Sequence, residues 1–168
     1  SEQELSNIDL SGTILSGADL RGAKRPNDLS YLDLADVKLT TSDLKNGTVL
    51  KNLKGTNFNG ADLTGIDLSG VSGTLSDLTK TRLTNVNFKD ANLEYVNLNN
   101  VNLFESTFEN TRIKESDLTN ADFTGVDMSG IFNKELTNIK IIGTNFSGAN
   151  LSNLDITKVF SKDLTNTK

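Results

Sequence analysis

The sequence predicts an all-β fold, a four-sided parallel β-helix in which each side is one short extended segment. Two observations support this prediction. A large apolar residue recurs at every fifth position from Leu53 to Met128, and only Gly73 breaks the series. The position two residues before each of them holds a small or β-branched side chain, such as Ala61 or Val96, while the remaining positions are polar or glycine.

A five-residue period excludes an amphipathic helix. An α-helix would advance about 500° per repeat and would spread the leucines around its axis. In an extended segment, residues i and i−2 share a face, so both apolar positions can point inward. Four such sides close a coil of about 20 residues, and coils stack at about 4.8 Å with their backbone groups paired. The 168 residues therefore predict one solenoid of about eight coils, roughly 40 Å long.

Several triplets within the repeat follow one motif closely. They are Ala18-Asp19-Leu20, Ala61-Asp62-Leu63, Ala91-Asn92-Leu93, Ala121-Asp122-Phe123 and Ala149-Asn150-Leu151. With these triplets the chain resembles the pentapeptide-repeat family, whose motif is A(D/N)Lxx. The resemblance covers nearly the whole chain and implies a right-handed quadrilateral β-helix.

Stacking in register makes residues 20 apart neighbours on adjacent coils. The charged pairs expected from this register are Lys89 with Glu109, Glu94 with Lys114, and Asp62 with Arg82. Phe88, Phe108 and Met128 should form one internal column. The predicted core ladder comprises Leu63, Leu83, Phe88, Leu103, Phe108, Phe123 and Met128.

The chain is predicted to be a single domain over residues 1–168, with register breaks near 21–28, 45–52 and 129–135 and a short tail after residue 160. Two breaks are nine-residue steps, each interpreted as one side with a looped-out corner. All defects then fall on one irregular face, with centres Leu29, Leu53, Gly73, Leu93, Ile113 and Asn133. If a nine-residue step instead holds two sides, with Arg25 or Val49 as a poor centre, the alignment rotates. Both interpretations stay open.

The composition argues against catalysis. The chain has no His and no Cys, which removes the usual general base, thiol nucleophiles and the commonest metal ligands. Its carboxylates decorate a convex rod, and no loop has an EF-hand pattern. The sequence therefore predicts a protein that is not an enzyme and needs no cofactor or metal.

Charge and hydropathy limit the partners. A net charge of −5 with a pI near 4.7 argues against direct binding of nucleic acid. Neither an apolar stretch of membrane-spanning length nor a signal peptide is visible. These features favour a protein partner, a monomer or an end-to-end dimer, and the cytoplasm slightly over an exported or lumenal location; the compartment itself stays open.

Apolar and basic residues at outward positions are candidate partner contacts. Leu75 and Tyr95 are 20 residues apart and should be vertical neighbours beside the irregular face, whereas Phe104 lies on another side. Arg112 and Lys114 are the two cations of the otherwise acidic segment 90–127. We interpret these five residues as a candidate binding surface. The alternative, that isolated apolar residues on a surface carry no function, stays open.

The same acidic segment suggests a second function. Its carboxylates are Asp90, Glu94, Glu105, Glu109, Glu115, Asp117, Asp122 and Asp127. The family resemblance implies an acidic DNA mimic, because relatives that protect DNA gyrase from quinolones are believed to imitate duplex DNA. Interspersed cations, a short tail and the lack of a long loop argue against it. The sequence thus predicts a non-catalytic interaction or scaffold module, with a mimic that binds a type II topoisomerase as the alternative.

Overall fold

Regular secondary structure in this chain is confined to very short elements. The computed structural model describes residues 10, 13–22, 28–46, 49–50, 53, 55–70, 75–134 and 136–159. The elements are α1 (Thr41–Leu44), β1 (Lys45–Asn46), β2 (Val49–Leu50), β3 (Ser76–Asp77), β4 (Val96–Asn97) and a 3-10 helix (Phe132–Lys134). Strands β1 and β2 pair antiparallel, and β3 pairs with β4 in parallel.

Isolated parallel bridges connect the rest of the chain, and their spacing gives the length of one turn. Four consecutive bridges link residues 87, 92, 97 and 102 to residues 107, 112, 117 and 122. Each links residues 20 apart, and the bridged positions recur every five residues. The 20-residue turn predicted from the sequence is therefore observed in this block, and we refer to residues 76–130 as the regular block.

Side chains across the coils confirm this register. The Lys89 ammonium lies 2.9 Å from the Glu109 carboxylate. The Lys114 ammonium lies 3.5 Å from the Glu94 carboxylate. Both pairs were expected from a step of 20 residues, and both are exposed enough to contribute little to stability.

Each pentad turns its corner in the same way. The residue two after the apolar centre has a positive φ, for example 70° at Gly125 and 59° at Glu115. This left-handed region explains why Gly and Asn recur there. The residue before the centre accepts a hydrogen bond from the backbone N–H two positions on, as Asp127 does from Ser129 at 2.9 Å. Asp and Asn are frequent before the centre because their short side chains can close this turn.

The apolar centres pack along the axis of the coil. Leu63, Leu83, Phe88, Leu103, Phe108, Phe123 and Met128 are all buried. The ring centroids of Phe88 and Phe108 lie 5.3 Å apart, those of Phe108 and Phe123 5.5 Å, and those of Phe123 and Phe146 5.5 Å. These separations are in the range of favourable aromatic contacts, so the rings stack continuously across coils.

Small polar residues in the interior are satisfied by the coil beneath. The buried Ser116 hydroxyl donates to the Leu93 carbonyl at 2.6 Å and accepts from the Val96 N–H at 3.0 Å. Ser106 does the same with Leu83 and Val86. A Ser at this inward position therefore costs little, because both of its hydrogen-bonding functions are used.

Outside the regular block the step is not 20, and one predicted pair is wrong. Asp62 bridges Asn87, and Arg82 bridges Asn57, so the step here is 25 residues. The expected contact of Asp62 with Arg82 does not form. The cause is five additional residues between Asp67, which bridges Asn92, and Ser76, which pairs with Val96. The periodicity conceals them, because five residues are the length of one repeat.

The irregular face was also assigned to the wrong centres. With a step of 25, the centre that follows Leu53 along its column is Leu78, so Gly73, Leu93 and Ile113 do not continue it. Gly73 itself, Arg25, the side chain of Val49 and the tail after residue 160 lie outside the described residues. The breaks do gather at one place, although not on the face that was predicted.

Candidate functional site

Three insertions lie against one edge of the solenoid. Residues 45–50 form the β1–β2 hairpin and follow α1, whose Thr41 hydroxyl accepts a hydrogen bond from the Asp67 N–H. Residues 71–75 lengthen the step that stacks on residues 92–96. Residues 131–139 lengthen the next step to 23, so that Asp117 bridges Lys140. We call the three insertions, together with residues 92–97 and 112–117, the insertion edge.

Leu75 and Tyr95 are neighbours on this edge, as the sequence predicted. The Ser76 N–H donates to the Tyr95 carbonyl at 2.9 Å, which places residues 75 and 95 on adjacent coils. Both side chains are half-buried. The Tyr95 N–H in turn donates to the Lys114 carbonyl at 3.2 Å, so Lys114 lies on the next coil of the same edge.

A small pocket of about 50 Å³ opens beside Lys114. It is lined by Glu94, Arg112, Ile113, Lys114, Phe132 and Asn133. The Arg112 guanidinium stacks on the Phe132 ring, with its carbon 4.6 Å from the ring centroid. This arrangement is a cation–π contact, and it holds the guanidinium in one position.

The 3-10 helix Phe132–Lys134 shapes the pocket because it ends the regular ladder. The Phe132 N–H still donates to the Thr111 carbonyl at 2.9 Å, and the chain then turns through positive φ at Asn133 (53°) and Lys134 (55°). The Phe132 side chain is 37% exposed. We call Leu75, Tyr95, Arg112, Lys114 and Phe132 the aromatic–basic patch.

Phe104 does not belong to this patch. Its carbonyl accepts a hydrogen bond from the Asn85 N–H at 2.9 Å, which places it on the column of residues 85 and 104 and away from the insertion edge. Its side chain is 38% exposed. Of the five predicted contact residues, the structure brings four together and leaves Phe104 apart.

The sequence profile of the pentapeptide repeat family matches residues 4–46, 52–90 and 91–130, with eight copies of the repeat. These segments cover more than half of the chain. The chain belongs to the pentapeptide repeat family. A comparison with curated protein sequences finds no match.

Solved structures of other pentapeptide repeat proteins resemble this one. HetL from the cyanobacterium Nostoc sp. strain PCC 7120, involved in heterocyst differentiation regulation, is 24% identical with a TM-score of 0.58, over 89% of this chain and 73% of HetL. Full-length QnrB1, a plasmid-mediated fluoroquinolone resistance protein, is 18% identical with a TM-score of 0.53, over 99% of this chain and 91% of QnrB1. At these identities the likeness shows the fold alone, a right-handed β-helix.

A plant relative is more similar in sequence than in the superposed coordinates. It is a pentapeptide repeat protein from the thylakoid lumen of Arabidopsis thaliana, 32% identical over 74% of this chain and 67% of its own, with a TM-score of 0.43.

The acidic residues of this pentapeptide repeat protein are spread around the coil. Asp117, Asp122 and Asp127 are five residues apart, so they lie on successive sides and not in one row. Each accepts a hydrogen bond from the backbone N–H two positions on. These three carboxylates therefore close turns of the repeat, which is a structural role.

Four further acidic residues are engaged by neighbours on adjacent coils. Glu94 and Glu109 pair with Lys114 and Lys89 as described above. The remaining contacts are from the Asn110 amide to Asp90 at 2.7 Å and from the Asn138 amide to Glu115 at 2.7 Å. Glu105, on the column beside Phe104, forms no ion pair with a described residue. Paired and scattered charges do not resemble the regular phosphate rows of a duplex.

Two carboxyl groups of the turns have lowered pKa values. Burial raises the pKa of Asp117, and hydrogen bonds from Thr119 with the nearby Lys140 ammonium, 3.2 Å away, outweigh that effect and lower it. The pKa of Asp127 is lowered by the hydrogen bonds that it accepts from the hydroxyl and N–H of Ser129. The shifts follow from turn closure, so they do not indicate a catalytic group.

Phe132 is the site residue that the sequence analysis missed. It immediately precedes Asn133, a polar residue at an expected apolar centre, and its own position normally holds Asp or Asn. An aromatic residue at an outward position beside a failed centre was the available signal. Within the described ranges, no three His, Cys, Asp or Glu residues cluster as metal ligands would, and no helix has the length and hydropathy to cross a membrane.

Proposed function

We propose that this protein is a non-catalytic interaction or scaffold module. It is a single domain over residues 1–168, a four-sided β-helix of about eight coils, and its insertion edge binds a partner protein. The observation that carries this proposal is the meeting of three insertions and the aromatic–basic patch on the same edge. The absence of His and Cys from the sequence supports a function without catalysis.

The composition of the patch is that of a protein interface. Tyr, Phe and Arg are enriched at interfaces, where they combine a large apolar surface with directional polar groups. Loops held on a rigid scaffold are also where binding functions concentrate. Tyr95 supplies a half-buried ring and Arg112 a stacked guanidinium, so the patch presents both kinds of contact on one rigid edge.

A comparison of two surface variants tests the proposal. Leu75→Ser combined with Tyr95→Ser removes apolar area from the patch, whereas Phe104→Ser removes it from another column. Affinity capture from cells of the native source should recover the partner with wild type and with Phe104→Ser, and should lose it with the double variant. Circular dichroism and thermal unfolding verify that both variants fold. Equal recovery by all three proteins would refute the patch as the binding surface.

The alternative function is that of an acidic mimic that binds a type II topoisomerase. It predicts that the purified protein alters gyrase supercoiling, or protects gyrase from a fluoroquinolone, and that Arg112→Gln does not matter. Supercoiling assays with and without the drug, over a large molar excess of the protein, separate the two functions. We propose a monomer or an end-to-end dimer, in the cytoplasm before other compartments; light scattering and fractionation test these points.

A further inference from the structure

We propose that the pocket beside Lys114 is a carboxylate-binding site, which receives the side chain of an Asp or Glu from the partner protein. This inference rests on the proposed function, because it gives the chemistry by which the aromatic–basic patch recognises its partner. Its components are the Arg112 guanidinium, the Ile113 backbone N–H and the Lys114 ammonium, all of which line the pocket.

The Arg112 guanidinium is ordered but unused. It stacks on Phe132 at 4.6 Å, and in the described part of the chain it forms neither a side-chain hydrogen bond nor an ion pair. A guanidinium carries five N–H donors in a planar fork that matches the two oxygens of a carboxylate. Stacking fixes that fork in advance, which lowers the entropy lost on binding.

The Ile113 N–H is a second free donor. One coil below, the Leu93 N–H donates to the Arg112 carbonyl at 2.7 Å. The equivalent acceptor for Ile113 would be the Phe132 carbonyl, but the chain enters the 3-10 helix at Phe132 and the ladder stops. Among the described residues, Ile113 N–H has no acceptor, although the residue is only 2% exposed. A buried N–H without a partner favours an incoming acceptor.

The charge and size of the pocket select the ligand. Glu94 already balances Lys114, with 3.5 Å between the two groups, so Arg112 is the uncompensated charge and the pocket carries one net positive charge. A single carboxylate neutralises it. A phosphate dianion would be repelled by the Glu94 carboxylate on the rim, and a volume of about 50 Å³ suits one small group.

The test is an NMR titration of the full chain with two capped peptides. The probe is acetyl-Gly-Glu-Gly-amide, and its neutral control is acetyl-Gly-Gln-Gly-amide. We expect saturable shifts of the Ile113 amide and the Arg112 Nε–H with the Glu peptide only, at a dissociation constant on the order of millimolar. Arg112→Gln should weaken binding about tenfold or more, whereas Arg82→Gln, an exposed arginine on another column, should not.

Each outcome decides a separate point. Equal shifts with both peptides, or shifts that Arg112→Gln leaves unchanged, overturn the carboxylate site. If Arg112→Gln unfolds the protein, Arg112→Lys keeps the charge without the fork and should weaken the Glu peptide severalfold; unchanged affinity in Arg112→Lys counts against the site. Partner capture that depends on Leu75 and Tyr95 but not on Arg112 preserves the proposed function while the site fails. Capture that depends on none of them removes the proposed function itself.

Discussion

The regular block and the insertion edge of this solenoid are built from the same pentads but obey different constraints. In the regular block, the step is 20 residues and every apolar centre is buried against the coil below. At the insertion edge, four to five residues are added without changing the bridges on either side, as the steps of 24 from Lys38 to Asp62 and of 25 from Asp62 to Asn87 show.

The difference identifies where the fold has freedom. A continuous aromatic stack runs through the interior, so a change of one ring there affects several coils. Extra residues at the edge leave the interior intact, because they loop out between two bridged positions. Surface loops tolerate length changes at a small entropic cost. Variation is therefore free to accumulate at the edge, where we propose that the partner binds.

The largest effect is expected from the core of the regular block. Phe108→Ala removes a ring that contacts both Phe88 and Phe123 at 5.3 to 5.5 Å. We expect a loss of about 3 to 5 kcal/mol in the free energy of unfolding. Chemical denaturation followed by circular dichroism measures it. A loss below about 1 kcal/mol would mean that the coils do not depend on the aromatic stack.

A smaller effect is expected at the corners of the pentads. Gly125 has a φ of 70°, and the space that an alanine methyl group would occupy there is open, so Gly125→Ala should destabilise the fold by about 1 to 2 kcal/mol through backbone strain alone. Glu115 has a φ of 59°, and Glu115→Gly should relieve part of that strain. Thermal unfolding of the two variants should shift in opposite directions. Shifts of the same sign would contradict this account.

Turn closure should make stability depend on pH. The folded pKa of Asp127 is lowered, so its stabilising contribution is present above the unfolded value of about 3.9 and is lost as the pH falls through the folded pKa. Asp127→Asn can still accept from Ser129 and should retain the turn, while part of the acid sensitivity below pH 4 disappears. Asp127→Ala should cost about 1 kcal/mol or less at pH 7. Unfolding at pH 7, 4 and 2.5 distinguishes these variants.

The smallest effect on stability is expected at the edge. Deletion of residues 71–75 restores the regular step, because Gly70 would then connect directly to Ser76 between the bridged residues 67 and 76. We expect the free energy of unfolding to change by less than about 1 kcal/mol, and partner capture to weaken because Leu75 is lost. A deletion variant that fails to fold would show that this insertion is required by the core.

The two charged pairs show how far sequence reasoning extends. Lys89–Glu109 and Glu94–Lys114 lie inside the regular block, where a step of 20 follows from the period, and both are present. Asp62–Arg82 spans the insertion of five residues, and there the expected step is wrong. An insertion as long as one repeat preserves the five-residue pattern, so a single sequence cannot reveal it. The same limitation moved the irregular face to the wrong centres.

The candidate site was only half visible for a related reason. Leu75, Tyr95, Arg112 and Lys114 occupy outward positions that the repeat identifies, so the sequence could select them. Phe132 enters the site through the 3-10 helix, whose backbone departs from the repeat. Its contact with Arg112 depends on that departure, which local residue preferences do not specify.

The amino-acid order alone determined the all-β solenoid, its inward and outward residues and the identity of the corner and turn positions, because each follows from contacts within one pentad. The tertiary structure decided which coils meet at each insertion, which exposed side chains share an edge, and which donors in the pocket have no acceptor. Those features depend on the number of residues in each turn. That number is set by how one coil stacks on the next.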